Sequence, residues 1–367
     1  MKKIRHVLGI SGGKDSTALA IYLKNLYPQI DMEYYFCDTG KELDETYGLI
    51  NKLENFLGKK IEYLRGANVE MPFDHFMKLN GNWLPSSPNR WCTSKMKLEP
   101  FEKFIGNDLA ISYVGIRGDE DRDGYVSSKP NIQTIFPFRR NIWSNEMIKN
   151  LLNNDNINFI VDTYSTITEQ RDKLLQILQI VKEPLSPRFS QTTKLNALLS
   201  LDITLFNKVM FLYLHTINAV VGQLDKFPLV GNEDNLDKQA IFNILLKSGV
   251  GIPEYYKALE YEVNGEKGIY NRTRSGCFFC FFQQKIEWVW LYEQHPDKFW
   301  ASVAYEKEGY TWIQGESLLD LIKPERIQKI KEEHLKRTNL KSKRTKSGLL
   351  VDVFKNDEEL GCVSCFV

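Results

Sequence analysis

Two periods alternate along the first 150 residues. Apolar runs bounded by turn residues predict strands at 7–11, 32–37, 60–64 and 111–116. Between them, apolar residues recur at helical spacing over 15–26, as Ala18, Leu19, Ile21, Tyr22 and Leu26, and again over 42–57 and 95–105. Strand and helix in alternation predict an α/β fold: a parallel sheet covered on both faces, with ligand-binding loops beyond the carboxyl ends of the strands. The loops 11–16, 38–40 and 115–122 each follow a predicted strand, so they should share one edge of that sheet.

Beyond Trp143 the pattern turns helical, with few turn breakers in 168–181 and 202–221. Residues 151–232 are expected to form an all-helical insertion in a core made of 1–150 and 233–290. Within the second core segment, 236–246 predicts a helix stopped by Gly249 to Pro253. A polar loop carrying Gly265, Gly268 and Asn271 follows, and then Arg274-Ser275-Gly276-Cys277-Phe278-Phe279-Cys280. Residues 291–367 form a C-terminal extension. Amphipathic helices are expected at 285–293 and 296–307, followed by a basic stretch from His334 to Lys346 and a tail ending Gly361-Cys362-Val363-Ser364-Cys365. The most apolar window, 205–222, contains Lys208 and His215, which fits a buried or interface helix better than a membrane span.

Composition agrees with a folded, non-membrane protein. Of 367 residues, 43% are hydrophobic and 26% charged, and the formal net charge is only +1. A neutral total disfavours a nucleic-acid coat yet leaves room for a local basic patch. No secretory leader is read at the start, so a cytoplasmic protein is expected. The six cysteines include two Cys-x-x-Cys pairs, a spacing that suits metal or redox chemistry before structural disulfides.

The opening loop, Ser11-Gly12-Gly13-Lys14-Asp15-Ser16, is not the common phosphate loop, whose lysine follows a longer Gly-x-x-x-x-Gly spacing. The physics is related. Glycines let backbone N–H groups surround an anion, the following helix adds its positive end, and Lys14 adds a point charge. Asp15 suits Mg²⁺ or a helix cap.

This loop resembles that of the PP-loop ATP pyrophosphatases, and the later segments resemble their phosphoadenosine phosphosulfate (PAPS) reductase branch. The similar stretches are Asp38-Thr39-Gly40 and Arg90-Trp91-Cys92-Thr93-Ser94-Lys95-Met96-Lys97. Gly115-Ile116-Arg117-Gly118-Asp119-Glu120-Asp121-Arg122, Pro137-Phe138-Arg139 and Gly251-Ile252-Pro253-Glu254-Tyr255-Tyr256 complete the set. They cover about 1–145 and 233–290.

The resemblance implies cleavage of ATP between the α and β phosphates, with pyrophosphate leaving into the 11–16 loop. Lys14, Asp15, Arg117 and Arg122 are then the candidate catalytic residues. Ser11, Gly12, Gly13, Ser16, Asp38, Thr39, Gly40 and Gly115 join Lys14, Asp15 and Arg117 around ATP. Arg90, Lys95, Lys97, Asp119, Glu120 and Arg139 are assigned to the second substrate.

The chain departs from the reductases at its end, which lacks their Glu-Cys-Gly-Leu-His type tail, and Trp91 stands where the iron–sulfur reductases carry a tandem cysteine. The core, the Gly-Cys-Phe-Phe-Cys loop and the helical insertion together most resemble the ATP-pyrophosphatase subunit of DNA phosphorothioation systems of the Dnd or Ssp type. That resemblance implies DNA as partner, sulfur from a cysteine desulfurase or carrier, further modification subunits, and a role in host defence. PAPS or adenylyl-sulfate reduction and tRNA thiolation are the alternatives, and a nucleotide-sensing module without turnover is a fourth.

For the cysteines three arrangements stay open. Cys277, Cys280, Cys362 and Cys365 close one site; or Cys92 joins Cys277 and Cys280; or the C-terminal pair carries a persulfide. A [4Fe–4S] cluster is expected, with Zn²⁺ as the alternative. Cys37 is expected to be a buried, unligated thiol. The basic stretch fits a solvated helix face or a phosphate-backbone track equally.

Overall fold

The computed structural model describes residues 3–120 and 127–345, the last six of them as backbone only. Five parallel strands form the main sheet: β1 (Arg5–Gly9), β2 (Met32–Asp38), β3 (Ile61–Arg65), β4 (Ala110–Tyr113) and β5 (Ile132–Ile135), in the order β3-β2-β1-β4-β5. β1 pairs with β4 in register Val7 to Ser112, and β2 with β3 in register Phe36 to Tyr63. Strands buried on both faces need apolar runs instead of alternation, and Val7, Leu8, Ile111, Tyr113 and Ile135 are all almost wholly buried. The α/β class expected from the sequence is therefore present. β5 is the strand that the sequence pattern did not yield. Its four residues, Ile132-Gln133-Thr134-Ile135, are too few to show a period.

The chain divides into two compact units. One comprises the start of β1 to Leu8, Ala18–Glu33 and Asn107–Ile241. Its helices Ile157–Ile167, Arg171–Lys182, Gln191–Leu201 and Ile203–Thr216 occupy the stretch expected to be all-helical. Thr168-Glu169-Gln170 breaks what the pattern predicted as the start of one helix. The first part of the apolar window at 205–222 lies in Ile203–Thr216, which buries Phe206, Val209, Met210 and Leu214, and the rest follows that helix. Among the described residues no single helix is long and apolar enough to cross a membrane.

Two buried polar side chains tie this unit together. Lys194 donates to the carbonyls of Val181 and Glu183 at 2.8 and 2.7 Å, which satisfies the open end of Arg171–Lys182. Asn207 accepts from Trp143 Nε1 at 2.8 Å and donates to Asn232 O at 3.3 Å.

The other unit comprises Gly9–Thr17, Tyr34–Gly106 and the chain from Phe242 onward. Its core is aromatic. Phe279 stacks on Trp312 (ring centroids 4.8 Å apart) and packs at a tilt on Phe73 (4.4 Å), with Tyr305 edge-on at 5.2 Å. Residues 91–105 are helical throughout, passing through one π turn, Ser94–Leu98.

Two expectations fail here. The polar stretch around Gly265 is not a loop but a hairpin, β6 (Leu259–Val263) and β7 (Glu266–Tyr270). Asn264 and Gly265 both sit at positive φ, 52° and 75°, as a two-residue hairpin turn matching strand twist requires. Lys285–Gln294, expected to be amphipathic, is buried from Ile286 to Leu291, including Glu287. That carboxylate accepts from Thr273 N at 2.7 Å and Gln284 N at 2.8 Å, and so braces both ends of the loop that carries the cysteines.

Candidate functional site

The loop after β1 is built as an anion cradle. Gly13 O accepts the first helical bond, from Thr17 N at 3.2 Å, so the helix α1 (Lys14–Leu26) starts with its N-terminus at the loop. Gly12 has φ +70°, and a Cβ there would strike Thr46 at 2.3 Å. A Cβ on Gly13 would lie 2.6 Å from Ser275 Oγ and 3.2 Å from both Ser11 Oγ and Tyr256 OH. The loop is held by Ser16 Oγ, which accepts from Ser11 N at 3.1 Å, and by Tyr255 OH, which donates to Gly12 O at 2.7 Å. The Lys14 ammonium, 4% exposed, lies 3.2 Å from the Asp15 carboxylate and 5.3 Å from the Tyr256 ring centroid. A buried ammonium beside a helix start suits a pyrophosphate, and the Asp15 carboxylate suits the Mg²⁺ that accompanies one.

The loop after β2 meets the cysteine loop. Asp38 accepts from Gly40 N at 2.9 Å and Tyr47 OH at 2.9 Å, and pairs with Arg65 Nε at 2.9 Å. Thr39 Oγ1 donates to Glu42 Oε1 at 2.7 Å, while Cys277 Sγ stands 3.2 Å from the same Thr39 oxygen and 4.0 Å from Glu42 Oε1. A hydroxyl has one proton, so with Glu42 ionised the chain runs Cys277 S–H to Thr39 O–H to Glu42.

Burial, and then the neighbouring Asp38, raise the Glu42 carboxyl above its ordinary range, although its Thr39 bond and the Lys97 ammonium pull it down. Desolvation and the Glu42 charge together push the Cys277 thiol well above its ordinary value. Burial likewise pushes the Cys37 thiol up to about 12; its sulfur points to Lys97 O at 3.6 Å and it is not in a disulfide.

Arg272 was missing from the sequence assignment. Its guanidinium is 2% exposed and donates to Cys277 O at 3.1 Å, and its Nη1 has no hydrogen-bond partner. The signal was the pair Arg272 and Arg274 just before the Cys-x-x-Cys.

Among the described residues no group of three or more His, Cys, Asp or Glu side chains is arranged to hold a metal. An iron–sulfur or zinc site needs three or four ligands. Cys277 instead faces a hydroxyl and a carboxyl. Cys92 and Cys277 pack against the aromatic core, and Phe278 and Phe279 belong to that core. The described cysteines do not by themselves make a cluster site. Cys362 and Cys365 lie outside the described residues.

The remaining substrate candidates in this unit are spread out. Arg90 lies over the Phe282 ring at 4.9 Å, Lys95 pairs with Glu99 at 2.6 Å, and the Lys97 charge acts on Glu42 and Cys277.

In the other unit the loop after β4 has its own geometry. Arg117, 3% exposed, pairs with Asp119 at 2.8 Å and Glu120 at 2.9 Å, and Arg139 donates to the carbonyls of Arg117 and Glu120. Gly118 N donates to Leu236 O at 2.9 Å, and a Cβ on Gly118 would overlap Asn235 at 2.0 Å. Arg117 is thus the centre of a two-carboxylate pair, so any phosphate it met would compete with Asp119 and Glu120. Gly115 lies on the same loop. Arg122 and Asp121 lie outside the described residues.

Residues 5–160 match the family model described as the phosphoadenosine phosphosulfate reductase domain. Two uncharacterized proteins of Methanocaldococcus jannaschii are similar. One is 35% identical over 144 residues, covering 35% of this chain and 28% of the relative. The second is 27% identical over 158 residues, covering 39% and 36%. The matched stretches span 28% and 36% of those relatives, well short of their full length. Among solved structures, a PAPS reductase from Candida auris in a phosphate complex aligns at 19% identity and a TM-score of 0.30, over 41% of this chain and 72% of that one.

Proposed function

We propose that this chain is an ATP pyrophosphatase that adenylates an acceptor so that sulfur can replace the activated oxygen, with a DNA backbone phosphate as the acceptor. The observation that carries this is the closure of the Ser11–Ser16 cradle by the segment that also bears Cys277. Ser275 and Tyr256 would touch a Gly13 Cβ, and two residues after Ser275 stands a thiol on a hydrogen-bonded path to Glu42.

In this reading an acceptor oxygen bonds to the α-phosphorus as the bond to the β-phosphate oxygen breaks. Pyrophosphate leaves toward Lys14 and the α1 N-terminus, which neutralise its growing charge. Asp15 would hold Mg²⁺, which shields the same charge. A sulfur nucleophile then attacks the acceptor phosphorus, and AMP departs with the former acceptor oxygen. The sulfur in this reading comes from a desulfurase or carrier. Thr39 and Glu42 provide a path for the Cys277 proton if that thiol receives sulfur on the way.

PAPS reduction is the second reading, favoured by the family-model match over residues 5–160. Two assays on one preparation separate them. Pyrophosphate release from ATP, raised by DNA, supports the first. Sulfite release from PAPS with a thiol reductant, without pyrophosphate release from ATP, supports the second.

A further inference from the structure

Trp83 is 51% exposed and Tyr310 41% exposed, yet neither is loosely held. The Trp83 ring packs within 3.1 Å of the place a Gly81 Cβ would occupy, on a turn whose Gly81 and Asn82 have φ of 67° and 59°. Trp83 O accepts from Trp91 Nε1 at 3.2 Å. Tyr310 stands edge-on to the indole, centroids 4.2 Å apart, on a tight turn closed by reciprocal Lys307–Tyr310 backbone bonds. The loop that returns from Trp83 ends at Arg90, whose guanidinium lies over Phe282, and Phe282 in turn packs against Phe281 at 4.3 Å. Fixed, half-exposed aromatic rings are costly to leave in water and present π-faces at little entropic cost.

The sequence around Trp83 leans basic, although Lys95 is paired with Glu99 and Glu308 stands on the Tyr310 turn. From His75 to Leu98 the chain contains no Asp or Glu, and it contains Lys78, Arg90, Lys95 and Lys97. On the Tyr310 turn Glu306 is spent inward, accepting from Trp312 N and Leu318 N at 3.0 and 2.8 Å, which leaves Glu308 beside Lys307. Aromatic faces set in an acid-free basic stretch match unstacked bases joined by phosphates.

We propose that the Trp83–Tyr310 pair, with Arg90 on the loop that returns from Trp83, forms a stacking platform for unpaired bases of a single-stranded nucleic acid. It rests on the reading of the acceptor as a nucleic acid, and it narrows that acceptor to a strand with bases free to splay. A duplex, whose bases are already stacked, would gain only the phosphate contacts.

The test is fluorescence anisotropy of the full chain with labelled oligothymidylate, the matching oligouridylate and a DNA duplex, for the native protein, Trp83→Leu and Tyr310→Leu. The leucines keep apolar packing and remove the π-face, and melting curves confirm that each variant folds. Single strand bound in preference to duplex, and about tenfold weaker in Trp83→Leu, is the expected result. RNA bound in preference to DNA keeps the platform and moves the acceptor to RNA. Equal binding by native protein and both leucine variants, preference for duplex, or no binding overturns it. So does a Trp83→Leu change confined to oligomeric state, which would make the patch a protein contact.

Pyrophosphate release from ATP without nucleic acid is measured on the same samples and should be equal in all three. Its absence even when the single strand is added, beside Trp83-dependent binding, would refute the enzyme reading alone, and its presence beside failed binding would refute the platform alone.

Discussion

Glu42→Gln separates two roles that the Cys277–Thr39–Glu42 chain permits. The substitution keeps the shape and an acceptor for Thr39, and removes one negative charge 4.0 Å from the Cys277 sulfur. Two unit charges at that separation interact by about 4 kcal/mol at an effective dielectric constant of ~20, and the substitution removes that repulsion from the thiolate. Desolvation remains, so the thiol should fall toward its ordinary value without becoming acidic. That energy is a factor of about 1,000 in thiolate stability, and intrinsic nucleophilicity gives back about half of it on a logarithmic scale, so the net gain at fixed pH is at most roughly thirtyfold. Iodoacetamide labelling across pH, read at Cys277 by peptide fragmentation, measures it. The rate inflection should move to lower pH and labelling at pH 8 should accelerate. A slower or unchanged rate in Glu42→Gln would refute the electrostatic account and make Glu42 the base that draws the thiol proton through Thr39.

Further expectations concern the cradle and the core beneath it. Lys14→Met should lower pyrophosphate release at least a hundredfold, the scale for losing a charge aimed at the developing anion; calorimetric melting checks that the variant folds. Gly13→Ala places a methyl group 2.6 Å from Ser275 Oγ and should weaken ATP binding at least tenfold by isothermal titration, roughly 1.4 kcal/mol. Phe279→Ala empties a site walled by Phe73, Trp312 and Tyr305 and should cost about 3–5 kcal/mol in urea unfolding.

The sheet was legible because its strands are buried apolar runs and its loops begin with small residues. Val7-Leu8-Gly9 running into Ser11-Gly12-Gly13 carries strand, turn and helix start in one string. The hairpin was legible too, though it was not read: Asn264-Gly265 between Tyr261-Glu262-Val263 and Glu266-Lys267-Gly268 is a strong short-range turn signal. Gly268 is there because Tyr261, its cross-strand partner, fills the space its side chain would take. The burial of Glu287 was hidden, since helical periodicity counts a glutamate as a surface position and only the fold brings Thr273 and Gln284 to its oxygens. The Thr39–Glu42–Cys277 chain was equally hidden. Those residues are more than 200 positions apart in part, and no local pattern encodes their meeting. Arg117 was readable as a cation on a strand-end loop, but its two carboxylate partners change what it is free to bind.

The most direct measurement follows the fate of ATP labelled at the α-phosphate, incubated with Mg²⁺ and single-stranded DNA. Adenylate and pyrophosphate in equal amounts, lost in Lys14→Met, are predicted. ADP with orthophosphate, or the same products from Lys14→Met, would contradict cleavage at the α–β bond by this cradle.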